Sequence, residues 1–416
     1  MKKIISFLGK NPYKETIYTI EGQQYKTSFV QDALTQHFSP DSCYIALTPG
    51  VQKDTRDGDG QTKTNNWTLL KEASAYNYTE LDISESQTQE AHFEILEKII
   101  SVIQPDDELI LDITHSFRSI PMVALAAAFY LKANKKIKSL KIFYGAFERG
   151  SNAPTPIHEL TGLLEIMEWV NAAQVFQRFG DGSDFAELLK LQHHSVWKDQ
   201  DTTLSDKPRT LQNYATKLIE ASHALNANQP KDIMTTALAM NKLEKEAHDE
   251  VNSWAKPFAL VFDDVHQQLS DFADLDLTTQ KNLLHWYAGR GRLVETSQLA
   301  REWVVTYTAR YLGIMSNSPD DIFDKDLRDE TEIALGLCYQ NDFTEKPVEL
   351  SKVAAQLHVS ECYKQIMGAW GDFIDTRNTL SHCGFNSTSQ PVATLHSKIN
   401  QWVKAIDALP DIIDPA

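Results

Sequence analysis

The chain has 416 residues, 42% hydrophobic and 23% charged, the balance of a soluble globular protein with room for more than one domain. Its 57 acidic against 40 basic residues give a formal net charge of −17, which argues against a protein that coats nucleic acid but not against a small cationic cleft. No apolar run reaches spanning length, and Cys43, Cys338, Cys362 and Cys383 form no Cys-x-x-Cys pair; a membrane helix, a zinc site and a disulfide framework are not expected, and a reducing cytoplasm fits.

Lys3–Leu8 reads as a buried first strand rather than a signal peptide, because its apolar run stops at Lys10-Asn11-Pro12 without a cleavage site. Further strands are expected at Tyr44–Thr48, Glu80–Ile83, Leu109–Ile113 and Leu140–Tyr144. Helical patterns fall between them at Gln24–His37, Trp67–Ala75, Glu90–Ile103 and Pro121–Ala133. This alternation predicts a doubly wound, Rossmann-like α/β domain over residues 1–160, with ligand-binding loops at the C-terminal edge of its sheet. Three polar loops fall there: Gly9–Tyr13, Thr48–Gln61 and Thr114–Arg118. Only Gly9 follows the first strand, so the Gly-x-Gly-x-x-Gly of a dinucleotide-dependent dehydrogenase is missing. The Gly/Asp-rich second loop lacks the closing Glu of an EF-hand and reads as a lid or as plain surface loop.

The most informative stretch is the turn between the fourth strand and the helix at Pro121. Thr114, His115, Ser116 and Arg118 set two hydroxyls, an imidazole and a guanidinium at a helix N-terminus, where backbone N–H groups and the dipole favour anions. The same residues also suit an ordinary helix cap with Arg118 solvated. Asp-Ile-Thr-His-Ser at 112–116 resembles the Asp-x-Thr-His-Gly signature of CARF domains, the cyclic-oligoadenylate sensors of type III CRISPR systems, with Ser116 where the family usually has Gly.

Beyond residue 160 helical periodicity takes over and predicts an all-α half. Residues 161–280 carry no nameable motif and read as connecting helices or a dimerisation layer. Residues 281–416 form the last domain. There Ile366, Trp370, Phe373, Arg377 and Leu380 recur at helical spacing, which predicts one helix with Arg377 on its apolar stripe and Gly384 at its end. A guanidinium in that place is paired with a carboxylate, bound to a ligand or at an interface. Asn378 and His382 share a face, whereas Arg377 and His382 point about 140° apart on an ideal helix, which favours a site assembled from two copies.

Arg377-x4-His382, with polar Asn378 after the Arg, resembles the Arg-x4–6-His motif of HEPN ribonucleases, and Gly289–Glu295 running into Leu299–Trp303 resembles their other long helix. A sensor followed by such a domain resembles the type III CRISPR ancillary ribonucleases. The resemblance implies a metal-independent endoribonuclease, needing no cofactor, that cleaves single-stranded RNA and is activated by cyclic tetra- or hexa-adenylate. It implies Arg377, Asn378 and His382 as catalytic residues. Gly9, Asn11, Thr48, Thr114, His115, Ser116 and Arg118 would bind the activator across a homodimer, a higher oligomer staying open. The alternative is a non-catalytic, ligand-sensing regulator whose helical half binds a partner or DNA.

Overall fold

Successive residues of the first strand, β1 (Lys2–Phe7), feed two hydrophobic clusters: Ile4 enters one, Ile5 and Phe7 the other, as in the middle of a parallel sheet. The computed structural model describes the chain except residues 57–61, 116–118, 135–136, 148–152, 199–206, 275, 317, 341–350, 372, 386–388 and 413–416. It divides into two compact units, residues 1–168 and 169–416.

In the first unit β1 is followed by β2 (Thr16–Ile20), β3 (Gln23–Thr27), α1 (Val30–Phe38), β4 (Ser42–Leu47), β5 (Thr55–Arg56), β6 (Thr62–Lys63), α2 (Asn66–Ala73) and β7 (Thr79–Asp82). Then come α3 (Gln89–Ser101), β8 (Glu108–Asp112), α4 (Ile120–Asn134), β9 (Ser139–Gly145) and β10 (Thr155–Glu159). The sheet order is β3-β2-β10-β9-β8-β1-β4-β7, and the run β9-β8-β1-β4-β7 is parallel throughout. The connections reverse direction between β1 and β8, the topological switch point where doubly wound folds bind ligands. Helices α1 and α2 cover one face through Val30, Leu34, Trp67 and Leu70. Helices α3 and α4 cover the other through Ile95, Ile99, Ala124 and Leu131.

All five expected strands are present, but the expected helix at Gln24–His37 is half wrong. Its first residues form β3, which pairs with β2 through the two-residue turn Glu21-Gly22, both at positive φ (48° and 81°).

Helix α5 (Gly162–Phe179) runs through the boundary into the second unit. That unit continues with α6 (Ser183–Lys198), α7 (Leu211–Asn226), α8 (Pro230–Asn241), α9 (Glu244–Trp254), α10 (Lys256–Ser270), α11 (Leu277–Gly289) and α12 (Leu293–Tyr311). The last helices are α13 (Pro319–Ile322), α14 (Lys325–Gln340), α15 (Lys352–His358), α16 (Tyr363–Gly371), α17 (Ile374–Ser381) and α18 (Val392–Asp407). One hydrophobic cluster runs from Trp169 to Leu409, so the regions 161–280 and 281–416 share a core. Helix α12 lies at its centre, packed by α11, α14, α16, α17 and α18. Among the described residues no helix is long and apolar enough to cross a membrane.

The single helix expected across residues 366–384 is two, α16 and α17. A Cβ on Gly371 would overlap the Tyr339 ring, and Phe373 stacks on Trp402 with centroids 5.2 Å apart. Those contacts end α16 and reset the helical phase, so Thr376 and Thr379 face the core while Arg377 is only half-buried.

Candidate functional site

At the end of β8 the Asp112 side chain is fully buried and spent on structure. Its Oδ2 accepts a hydrogen bond from Ser6 Oγ on β1 (2.5 Å), and its Oδ1 accepts from Thr114 N (3.0 Å) and Thr114 Oγ1 (2.5 Å). Ser6 is steadied by Gln31 Nε2 of α1 (3.0 Å), and Thr114 Oγ1 accepts from Gly145 N of β9 (2.8 Å). The motif's Asp and Thr thus tie three neighbouring strands together beneath the turn. Loss of water raises the Asp112 carboxyl above the usual carboxylate range, against the pull of its hydrogen bonds to Ser6 and Thr114.

His115 follows on this anchored turn. Its ring lies 4.5 Å from that of Tyr13, which in turn meets Phe29 at 5.3 Å, and its Nε2 is buried with no hydrogen-bond partner among the described residues. Burial lowers its pKa from 6.5 to about 4, so the imidazole is neutral at pH 7. The unfolded chain therefore takes up this proton first, and the residue's contribution to stability is lost as pH falls from 6.5 toward 4. An NMR titration is expected to find His115 protonating near pH 4 in the free protein, and closer to neutrality once an anion sits beside Nε2. An unchanged value on anion binding would remove His115 from the site.

Gly9, Asn11 and Thr48 do come together, lining a cavity of about 240 Å³ over the ends of β1 and β4 with Lys10, Val51 and Ile120. Thr48 Oγ1 is buried and has no hydrogen-bond partner among the described residues. Asn66 Nδ2 donates to the carbonyls of Gly9 (2.7 Å) and Asn11 (2.8 Å), and Gly9 N donates to Tyr13 Oη (2.8 Å), which holds the first loop in shape. A second cavity of about 550 Å³ shares Lys10 and Val51 and adds Tyr13, Phe29, Lys53 and Lys63. Thr114 and His115 line neither cavity; Tyr13 links them to the larger one. Ser116 and Arg118 lie outside the described residues, as does part of the loop Thr48–Gln61. Lys10 and Tyr13 belong to a loop the sequence marked without marking them, whereas nothing in the sequence marks Asn66.

In the second unit Arg377 Nη1 donates to Asn378 Oδ1 (3.1 Å), while Arg377 Nε is buried without a partner among the described residues. His382 is exposed and caps α17 with non-helical backbone (φ −100°, ψ 19°), its N–H bonded to the Asn378 carbonyl (3.0 Å). The side-chain pair is thus Arg377 with Asn378, rather than Asn378 with His382. The first left-handed residue after the helix is Cys383 (φ 54°), with Gly384 (φ 72°) behind it, and Gly384 N bonds the Thr379 carbonyl (2.8 Å) in a Schellman closure. Arg290 and Arg292, before α12, are used locally: Arg290 lies over Trp286 at 3.9 Å, and Arg292 pairs with Glu295.

A doubly wound sheet with its aspartate-anchored Thr-His turn at the switch point is the architecture of a CARF domain, and residues 3–148 match the family model described as CRISPR system endoribonuclease Csx1, CARF domain. The first unit of the chain is thus similar to the CARF domain of a CRISPR-associated protein family. Residues 165–276 match a second model, CRISPR-associated protein MJ1674, second domain, which covers most of the region between sensor and C-terminal helices. The CRISPR-associated protein MJ1674 of Methanocaldococcus jannaschii is 24% identical over 159 residues, 38% of this chain and 22% of that protein. The chain therefore aligns with about a fifth of that relative's length.

Proposed function

We propose that the protein is a cyclic-oligoadenylate-activated, metal-independent endoribonuclease of type III CRISPR defence. The observation that carries the nuclease reading is Arg377: a half-buried guanidinium, hydrogen-bonded to Asn378 and paired with no carboxylate among the described residues, five residues before an exposed histidine. A cation held that way suits an anionic partner. The Csx1 name of the family matched by the sensor, an endoribonuclease, supports the same reading.

In this mechanism the RNA's own 2′-hydroxyl attacks the adjacent phosphorus, giving 2′,3′-cyclic phosphate and 5′-hydroxyl ends. His382 moves the proton, as base for the hydroxyl or acid for the leaving oxygen. Arg377 stabilises the charge that builds on the phosphoryl oxygens, and Asn378 positions that guanidinium. The activator, a cyclic tetra- or hexa-adenylate, binds over the sheet edge at Gly9, Asn11, Thr48 and the Thr114–Arg118 turn. A ring of identical phosphates suits a two-fold homodimer. Helix α4 supports that assembly: its inner face is buried through Ile120, Ala124 and Leu131, yet Met122 and Tyr130 on the outer face are apolar and exposed. The activator shifts the dimer toward the cleaving state by binding that state better.

The test is cleavage of a fluorescent single-stranded RNA in chelator, with each cyclic oligoadenylate from three to six units. One ring size is expected to activate strongly. Activity that vanishes in chelator and returns with manganese would reject the mechanism. Ring binding without any cleavage would favour the regulator.

A further inference from the structure

Three loops meet over the ends of the neighbouring parallel strands β1, β4 and β7, and a single carboxylate sits where they converge. Glu85, after β7, pairs with Lys10 Nζ from the loop after β1. The same carboxylate lies close beside the backbone of Gly50, in the loop after β4, and in the field of Lys53 from that loop. The lysine bond foremost, then the other positive groups, holds the Glu85 carboxyl below the usual carboxylate range. Gly50 is what permits the convergence: a Cβ there would overlap the end of the Lys10 side chain and stand 2.9 Å from Glu85 Oε1.

An ammonium bonded to an oxygen anion, a bare glycine backbone beside it and a second ammonium whose field reaches it are groups that suit a phosphate. Lys10 moreover lines both cavities at this edge, and Lys53 lines the larger. Glu85 itself lines neither cavity, so its carboxylate sits at their rim. Both partners of the ion pair are partly exposed, with side chains 44% and 36% accessible, so the pairing is weak enough for another anion to displace.

We propose that Lys10, Lys53 and the Gly50 backbone form a seat for one phosphodiester of the activator, and that Glu85 fills this seat in the free protein as a built-in competitor. The inference rests on the sensor reading above and adds to it a residue that sets the activation threshold. Glu85 must swing out as the phosphate enters, so it weakens ligand binding without touching the ligand.

Calorimetric titration of the full chain, its Glu85→Gln and Lys10→Ala variants and the double variant tests this, with cyclic tetra- and hexa-adenylate and, separately, inorganic pyrophosphate. Glu85→Gln is expected to bind the ring and pyrophosphate about two- to fivefold tighter, the range an exposed ion pair spans. Lys10→Ala is expected to bind both more weakly, and adding Glu85→Gln to it should give no gain, because the competitor has lost its seat. A ring that binds the parent and Glu85→Gln equally overturns the seat and leaves the sensor reading standing. If the parent binds no ring, the sensor reading falls, and the seat is then judged by pyrophosphate alone: tighter binding by Glu85→Gln upholds it, equal binding overturns it. Because Glu85 is half-exposed in a loop, the variant's melting temperature should match the parent's, which separates a threshold effect from misfolding.

Discussion

His382→Ala is expected to slow ring-activated RNA cleavage by about two to four orders of magnitude, the range over which a positioned acid or base acts. The fold should not notice: His382 is exposed at the end of α17, and its backbone N–H still caps the helix through the Asn378 carbonyl. Ring affinity should be unchanged, because every residue assigned to the activator lies in the other compact unit. Arg377→Lys keeps the charge but loses the fork that bonds Asn378, and a loss of about two to three orders of magnitude is expected. Single-turnover cleavage beside ring-binding calorimetry reads both. Cleavage that survives His382→Ala would remove this residue from the chemistry, whatever the activator does.

The second large effect belongs to a residue that touches no ligand. Asp112→Ala is expected to destabilise the chain by about 2–4 kcal/mol, because it strands the Ser6 hydroxyl and the Thr114 N–H and hydroxyl in a dry interior. It should also abolish ring binding, since the turn carrying His115 hangs on that carboxylate. Asp112→Asn keeps an acceptor for Thr114 and can donate to Ser6, so it should stay within about 1 kcal/mol of the parent. The pH dependence separates the two further. Burial raises the Asp112 carboxyl, so the folded chain holds that proton more tightly than the unfolded one. From this group, stability falls as pH rises from the ordinary aspartate value to the raised one, and is level above it. Asp112→Asn should flatten that part of the curve. Urea unfolding between pH 4 and pH 8 measures it, and a slope unchanged in the variant would show that Asp112 does not titrate there.

Strands β1, β4 and β8 were legible because each is a short, mainly apolar run buried on both faces, a local property of composition, whereas β7 is a largely exposed edge strand. The Asp112–His115 turn was legible too, although the roles of its residues were not. Asp112 and Thr114 look like ligand contacts in a motif, yet the structure spends both on the joints between β1, β8 and β9. That could not be read from the pentapeptide, since Ser6 and Gly145 lie far away in sequence. Strand β3 was mistaken for helix for the same kind of reason. Gln23–Thr27 has no strong period of its own and becomes a strand by pairing with β2 across the Glu21-Gly22 turn.

At the other end of the chain, periodicity alone placed Arg377 on a continuous apolar stripe, and that was an error of phase rather than of residues. The contacts of Gly371 with Tyr339 and of Phe373 with Trp402 break the helix before Arg377 and turn its side chain half outward. What this sequence determined by itself is the set of things decided within a few residues: the strand-helix alternation, the chemistry-bearing side chains, and the end of α17 near Gly384. Only the tertiary structure decided which of those side chains are used up as joints, which stand free beside a cavity, and that Glu85 occupies the anion seat of Lys10. Such choices depend on partners distant along the chain, and burial, which sets both pKa and hydrogen-bond demand, exists only once those partners have met.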